Sequence, residues 1–208
     1  SSDLGAATLD RLVAAGVMNR AMADLLRLAV RVRLNLLVAG PPGAGKTALL
    51  AALARDAGDA RVVTIARHRE LRATSPTRIE LVVEGQGTTL PALLGAAAGL
   101  RPDVLIVDSV QAGDVAALVE QFASPARGRI AAVEPTALVS GLSHSVDLVV
   151  RLGEGSDGRY RAVAIQDRAN ALIFAHEDGD FRRRERVPFF AAAVRAAGQG
   201  EALDAILR

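Results

Sequence analysis

The pattern of apolar and polar positions divides the chain into short apolar runs separated by longer segments with helical spacing. Continuous apolar runs predict strands buried on both faces at 34–39, 61–65, 79–83, 104–107 and 129–133. Apolar residues at three- and four-residue spacing predict helices at 4–15, 20–33, 47–57, 90–99 and 115–123. Strands and helices therefore alternate. We expect an α/β fold with a mostly parallel central sheet and helices on both faces.

Polar residues mark where these helices begin. Asn19, Thr89 and Asp114 each stand immediately before a predicted helix and are expected to cap it with their side chains. Gly58 and Pro125 mark the ends of two of these helices.

The pattern changes near residue 147. Short runs at 147–152 and 160–165 flank the turn sequence GEGSDG, and a run at 171–175 precedes EDGD, which predicts an antiparallel meander. Two short helices are expected within 189–208. We divide the chain into a helical lead-in at 1–33 and one main domain at 34–208, since no linker separates the rest.

Composition narrows the class of protein. Half of the residues are hydrophobic but only 3% are aromatic, so the core is expected to be aliphatic. The net charge is +2 with charges spread along the chain, which argues against a nucleic-acid partner; the basic run at 182–186 is expected to be a solvated strand end. Cysteine is absent, and no apolar run reaches the ~20 residues of a membrane span. The chain starts at Ser1 without methionine or a signal-peptide pattern, so we expect a fragment.

The turn between the first strand and its following helix carries the sequence GPPGAGKT at 40–47. It matches G-x-x-x-x-G-K-[ST] at every fixed position, in the strand–loop–helix context that a phosphate-binding loop requires. Glycines let backbone N–H groups converge on phosphate oxygens, and the helix directs its positive N-terminal end at the same anion. We therefore expect this loop to bind a nucleotide.

Two side chains of the loop have distinct expected roles. Lys46 would reach the β- and γ-phosphates, and the Thr47 hydroxyl would ligate Mg²⁺. Lys46 is the only lysine among the 25 lysine and arginine residues, so a compact ammonium is kept where a planar guanidinium would not substitute. The expected nucleotide-binding set is Gly40, Pro41, Pro42, Gly43, Ala44, Gly45, Lys46, Thr47 and Ala48.

A second nucleotide signal is the apolar run at 104–107 that ends in Asp108. Such strands are common, but beside a phosphate-binding loop the carboxylate holds the Mg²⁺ water shell together with the loop threonine. We therefore expect Asp108 to be associated with the metal. The next residue, Ser109, cannot act as a general base.

The run MADLLRLAVRVRLNLLVAGPPGAGKT at 22–47 resembles the type II/type IV secretion ATPase superfamily, most of all the CpaF-like ATPases of Tad/Flp pili. In that family a helix ending A-x-x-A-R-L-N-x-L-V-x-G leads into the loop, and 33–35 keep its core. The resemblance extends over nearly the whole chain, through RVVTI at 61–65, Arg78, Glu84-Gly85, Gly87, RPD at 101–103 and SVDLVVRL at 145–152.

This resemblance implies a RecA-like ATPase domain that works as a hexamer, binds ATP or ADP with Mg²⁺ between neighbouring subunits and drives pilus assembly. It adds Arg78 to the nucleotide-binding set. The implied partners are copies of this chain or an active homologue, and inner-membrane platform proteins of a secretion or pilus system. The implied location is cytoplasmic and peripheral at the inner membrane. The family's N-terminal domain is not in this sequence.

The sequence departs from the family at its acidic and charge-stabilising positions. The T-I-E-D motif reads TIAR at 64–67, and the G-E pair that ends the Walker B strand reads DS at 108–109. The histidine box T-I-H-A-N reads AVEPT at 132–136, and the last arginine of R-L-E-T-R is Val82. Phosphate-binding groups are therefore kept, whereas water-activating and charge-stabilising groups are replaced.

The candidate catalytic residues are Lys46 and two acids that could act as the general base, Glu134 and Glu70. Glu134 either lies beside the γ-phosphate or faces solvent at a strand end. If neither acid reaches the phosphate, the chain is a nucleotide-binding subunit with little turnover. Losing a positioned base costs about 10²–10⁴-fold in rate, and losing an arginine finger about 10³–10⁵-fold. We expect ATP·Mg²⁺ binding with impaired hydrolysis.

Three hypotheses follow. The leading one is the motor domain of a secretion or pilus-assembly ATPase, and the second is a regulatory or scaffold subunit that binds ATP without hydrolysing it. Turnover distinguishes them. The third is a P-loop kinase or small-molecule transferase, against which stand the lack of an obvious lid motif and the family pattern.

The remaining ionisable residues are open to more than one interpretation. Histidines without metal-ligand spacing are expected at the surface, with the first also a candidate phosphate contact: His68, His144 and His176. Arginines that could be intersubunit fingers, phosphate contacts or solvated charges are Arg67, Arg69, Arg72 and Arg78.

Overall fold

A computed structural model describes residues 7–67, 77–83, 87–134, 145–155, 157–184 and 187–208. The strands, numbered in chain order, are β1 (Leu36–Ala39), β2 (Val62–Ala66), β3 (Arg78–Val82), β4 (Val104–Val110), β5 (Arg129–Val133), β6 (Leu148–Glu154), β7 (Tyr160–Asp167), β8 (Leu172–Glu177) and β9 (Asp180–Arg183). The helices are α1 (Leu9–Ala14), α2 (Arg20–Arg31), α3 (Lys46–Asp56), α4 (Leu90–Gly99), α5 (Val115–Ala123), α6 (Ala191–Ala196) and α7 (Gly200–Ile206).

All of these strands belong to one sheet, in the order β3-β2-β4-β5-β1-β6-β7-β8-β9. From β3 to β6 neighbouring strands are parallel, and from β6 to β9 they are antiparallel. The predicted α/β fold with its C-terminal meander and two short final helices is confirmed. Strand β1 lies between β5 and β6, so the segment that leads into the glycine-rich loop is in the interior of the sheet.

Helices cover both faces of the sheet, as predicted. Leu36 and Val38 of β1 pack in a cluster with α1, α2, α3, α6 and α7. Leu37 and Ala39 point to the other face and pack with α4 and α5. Because successive strand residues alternate between faces, a fully apolar β1 supplies both cores at once.

Helix boundaries follow local backbone chemistry. Helix α1 begins at Leu9, later than predicted, because the Thr8 hydroxyl accepts a hydrogen bond from Arg11 N at 3.2 Å and caps it. Helix α2 ends at Arg31, before the predicted boundary, and the chain turns at Arg33, whose φ is +58°.

Two of the three predicted caps are confirmed. Asn19 Oδ1 accepts from Met22 N at 2.8 Å, and Thr89 Oγ1 accepts from Ala92 N at 3.4 Å. The prediction for Asp114 was wrong, because its side chain makes no capping bond to α5. Asp114 instead ends a 3₁₀ turn, where its carboxylate accepts from Gln111 N at 3.3 Å.

Strand β4 does not end at Asp108 as predicted but continues to Val110. Between Val107 and Val110 the pairing with β5 shifts, since three steps along β4 match two steps along β5. The extra residue makes a β-bulge, a feature that redirects a side chain without ending the strand. Asp108 lies within this bulge.

No helix in the described segments is long and apolar enough to cross a lipid bilayer.

Candidate functional site

The carboxyl ends of the parallel strands form one edge of the sheet, and the glycine-rich loop lies there. β1 ends at Ala39, the loop follows, and α3 begins at Lys46. Gly40 N donates to the carbonyl of Val133 at 3.3 Å, which joins the start of the loop to the end of β5. The loop therefore stands beside the ends of β5 and β4.

At each of the three glycine positions of the loop, the local geometry requires glycine. A Cβ on Gly40 would lie 2.9 Å from the carbonyl oxygen of Leu152 in β6, a distance that real Cβ atoms essentially never show. Gly43 and Gly45 have φ of +78° and +89°, in the left-handed region that favours glycine. A larger residue at any of the three would move or strain the loop.

The beginning of α3 has the geometry that anion-binding helix N-termini have. Gly45 occupies its N-cap position and no side chain caps it, so the first backbone N–H groups of the helix have no side-chain acceptor there. Lys46 Nζ donates to the carbonyl oxygens of Gly40 at 2.8 Å and Pro41 at 2.9 Å. The ammonium is thus held against the loop, where it adds positive charge to the helix dipole.

Thr47 and Asp108 meet beside the loop, as their predicted shared role requires. Thr47 Oγ1 donates to Asp108 Oδ2 at 2.7 Å, and the carboxylate is almost fully buried. A hydroxyl and a carboxylate next to a phosphate site are hard oxygen donors of the kind that Mg²⁺ takes in proteins. The residues present therefore fit a magnesium ion.

The structure places one of the two candidate bases. Glu134 directly follows Val133, whose carbonyl accepts from the first loop residue, and it is exposed. It is therefore near the loop at the correct edge of the sheet. Glu70 lies outside the described residues, as do His68, Arg69, Arg72 and His144.

Arg67 stands at the end of β2, where the resembled family has an acidic pair. Its Nη2 lies 2.6 Å from Asp114 Oδ2, and both side chains are mostly buried. Arg67 is therefore not a solvated loop charge. Sequence reasoning had not paired these two residues, because Asp114 was interpreted as a helix cap.

Arg78 lies at the opposite edge of the sheet. It pairs with Val62 at the amino ends of β3 and β2, whereas the loop is at the carboxyl ends. Burial lowers the pKa of its guanidinium, and the neighbouring charge of Arg55 in the last turn of α3 lowers it further. The structure does not bring Arg78 to the loop of its own chain, so a nucleotide contact by Arg78 stays a prediction for an interface between chains.

His176, expected at the surface, is half-buried in β8. Its ring lies edge-on to Phe181, with centroids 4.9 Å apart, and its Nε2 is 2.9 Å from Arg161 Nη1. These contacts give it a structural role in the meander.

Asn35, which the sequence marked only as part of the family-like run at 33–35, has a structural role. Its Oδ1 accepts from Arg129 N at 3.0 Å, its Nδ2 donates to Ser145 O at 2.9 Å, and its backbone N donates to Asp147 Oδ2 at 2.8 Å. It is 3% exposed. Asn35 thus joins the amino ends of β1, β5 and β6, which fixes the strand that carries the loop.

The chain is similar in sequence to known proteins. A family model described as type II/IV secretion system protein matches residues 3–124, more than half of the chain. A putative conjugal transfer protein of Mycobacterium tuberculosis is 31% identical over 204 residues, covering 82% of this chain and 58% of that protein.

Two solved structures share the fold. The VirB11 ATPase of the Brucella suis type IV secretion system, in complex with sulphate, matches with a TM-score of 0.63 at 23% identity, covering 78% of this chain and 55% of that one. The pilus retraction motor PilT with bound ADP matches with a TM-score of 0.53 at 16% identity, covering 88% and 56%.

These structural matches confirm the RecA-like fold that the resemblance implied. The chain spans little more than half the length of these three relatives. Since the family model covers more than half of this sequence, the chain belongs to the type II/IV secretion system protein family.

Proposed function

We propose that this chain is the ATP·Mg²⁺-binding motor domain of a secretion or pilus-assembly ATPase in which hydrolysis is slow. The observation that carries the proposal is the 2.7 Å contact of Thr47 with Asp108 beside a complete glycine-rich loop. A bound Mg²⁺ would neutralise phosphate charge between these two residues. The loop backbone, the start of α3 and Lys46 would hold the β- and γ-phosphates.

Slow turnover follows from what replaces the family's acidic positions. Ala66 ends β2 without a carboxylate, and the cation that follows it, Arg67, is paired with Asp114. Ser109 follows Asp108 where the family has glutamate. Glu134 directly follows Val133, whose carbonyl accepts from Gly40 N. It is exposed, so it orients a water molecule less firmly than a fixed carboxylate would.

Binding and turnover are tested together on three proteins. Wild type, Lys46→Ala and Arg182→Ala, which removes an exposed cation from β9, are compared by calorimetry with ATP and Mg²⁺ and by phosphate release. We expect Lys46→Ala to weaken ATP about 10- to 100-fold, as loss of charged hydrogen bonds does. Arg182→Ala should bind like wild type. Wild-type release should stay below about 0.01 s⁻¹, far under ordinary enzyme turnover.

Two results would overturn parts of this proposal. ATP binding that Lys46→Ala leaves intact would remove the nucleotide site from the loop. Robust phosphate release that Lys46→Ala abolishes would show that hydrolysis is not impaired.

A non-hydrolysing scaffold subunit is the second candidate. It is favoured by the Arg67–Asp114 pair, because Arg67 stands where the resembled family has an acidic residue. Such a subunit uses ATP binding to set its assembly state. Light scattering with ATP, ADP and no nucleotide separates the two: assembly that depends on ATP without phosphate release supports the scaffold.

The wider context is also proposed from the resemblance. We place the chain in the Tad/Flp pilus branch, as a hexamer of identical chains or with an active homologue, bound to inner-membrane platform proteins from the cytoplasmic side. VirB11 of Brucella suis and the PilT motor with its ADP support a nucleotide-dependent secretion role.

A further inference from the structure

A cavity of about 220 Å³ opens directly beside the glycine-rich loop. The backbone of 43–45 forms one wall, and Ala48 and Leu49 of the first turn of α3 form another. Leu12 of α1, Val17, Leu152 of β6 and Tyr160 of β7 complete it. If phosphates bind in the loop, a group attached to them that lies across the start of α3 would enter this cavity.

The walls are fixed by the sheet. Leu152 is 4% exposed and lies against Gly40, the first loop residue. Val17 O accepts from Ala162 N at 2.7 Å, which joins the segment after α1 to β7. Tyr160 begins β7 and pairs with Glu154 of β6. The cavity is therefore a formed feature of the sheet and not a gap between separate parts.

Its size fits a ring system and not a whole nucleotide. Pockets that take a complete small-molecule ligand usually span about 300–1,000 Å³. The smaller volume here suits one flat ring system, while the charged groups attached to it lie in the loop.

Its chemistry is apolar with one aromatic side chain. Among the described residues that line it, none is charged, and Tyr160 is the one aromatic. The tyrosine is 38% exposed, so part of its side chain is available for contact with a ligand. An aromatic face binds any nucleobase by stacking, whereas discrimination between bases needs polar groups aimed at the base edge.

We propose that this cavity is the nucleobase subsite of the nucleotide held by the loop, with Tyr160 as its aromatic contact. The inference rests on the proposed function, because the phosphates must occupy the loop. It adds that base recognition is by stacking and apolar contact, so ATP and GTP bind with similar affinity. Tyr160 also lies beyond residues 3–124, the part matched by the family model.

The composition allows a direct test on the unmodified protein. Tyr160 is the only tyrosine and tryptophan is absent, so the tyrosine emission of the protein reports this side chain alone. A stacked base quenches tyrosine emission. We expect ATP and GTP with Mg²⁺ to quench it, and inorganic tripolyphosphate, which has no base, to bind without quenching. A free tyrosine amide at equal nucleotide concentration corrects for light absorbed by the base.

Affinities of variants give the second readout. By calorimetry, Tyr160→Ala should weaken ATP and GTP equally, about 10-fold, and leave tripolyphosphate unchanged. Tyr160→Phe, which keeps the stacking face, should bind like wild type. The matched control is Phe189→Ala, an aromatic that is 54% exposed and does not line the cavity.

The outcomes separate this inference from the proposed function. Quenching by both purine nucleotides and a selective loss in Tyr160→Ala support the subsite. Lys46-dependent ATP binding without quenching, or a preference of more than 10-fold for one purine, overturns the inference and leaves the proposed function intact. If neither ATP nor tripolyphosphate binds, both fail.

Discussion

The Thr47 hydroxyl donates to Asp108 Oδ2 at 2.7 Å, although the two residues are 61 positions apart in the chain. Two elements bring them together: the helix that begins inside the glycine-rich loop, and a strand whose bulge contains the carboxylate. Neither element alone makes the contact. The contact between Thr47 and Asp108 therefore depends on the packing of α3 against the sheet as well as on the chemistry of the two side chains.

The effect of Mg²⁺ on ATP affinity should depend on Thr47 and Asp108. Asp108→Asn keeps the shape of the side chain but removes its charge, so we expect ATP affinity with Mg²⁺ to fall about 10-fold. In EDTA the variant and wild type should bind alike. Calorimetry under both conditions checks this; an equal loss with and without the metal would assign Asp108 a purely structural role.

Whatever slow hydrolysis exists should depend on Glu134. Glu134→Gln is expected to lower the phosphate-release rate about 100-fold with ATP affinity unchanged, since a general base contributes about 10²–10⁴-fold. The control is Glu120→Gln, an exposed carboxylate on α5. Equal rates in wild type and both variants would remove Glu134 from the reaction.

Asn35 should matter for stability and not for chemistry. Asn35→Ala leaves the buried Arg129 N–H and the half-buried Ser145 carbonyl without their hydrogen bonds, which costs about 3 kcal/mol. For a chain of this size the melting temperature should fall by roughly 6–12 °C. Calorimetric melting measures this. An unchanged melting temperature, or a folded variant with weakened ATP binding, would contradict a purely structural role for Asn35.

Asp56 should make stability depend on pH. Burial raises the pKa of its carboxyl group, and the charge of Arg27 opposes this only in part. The folded protein therefore binds the proton more tightly than the unfolded chain does. The ionised carboxylate costs stability at neutral pH, and this cost disappears as pH falls through the folded pKa towards the ordinary 3.8.

The corresponding variant is Asp56→Asn. We expect it to raise the melting temperature by about 2 °C at pH 7, with the gain shrinking in acid. The control is Asp59→Asn, at an exposed position nearby, which should change the melting temperature neither at pH 7 nor in acid. A gain that persists below pH 3.5 would mean that packing and not charge is responsible.

The parts of the site that could be predicted are those encoded locally. The loop, Lys46 and Thr47 lie within one strand–turn–helix segment, and Asp108 ends an apolar run that is recognisable without its neighbours. The contacts of Asn35 could not be predicted, because its partners are 94 to 112 positions away and meet it only through strand order and register.

The pairing of Arg67 with Asp114 and the proposed role of Tyr160 could not be predicted from the sequence, for related reasons. The partner of Arg67 is 47 positions away on a turn that resembled a helix cap in sequence. Tyr160 follows a turn in the meander, and only the pairing of β6 with β1 and β7 brings it towards the loop. Both depend on which strands become neighbours, and periodicity along the chain contains no such information.

Lys46 has a consequence for chemical labelling. As the chain's only lysine, it carries the single side-chain amine, and that amine is held by the carbonyls of Gly40 and Pro41. A lysine-specific protease has one target bond in the whole sequence, between Lys46 and Thr47. Such a protease therefore cuts within the glycine-rich loop alone, and amine-acylating reagents modify one side chain, that of Lys46, in addition to the α-amino group of the chain.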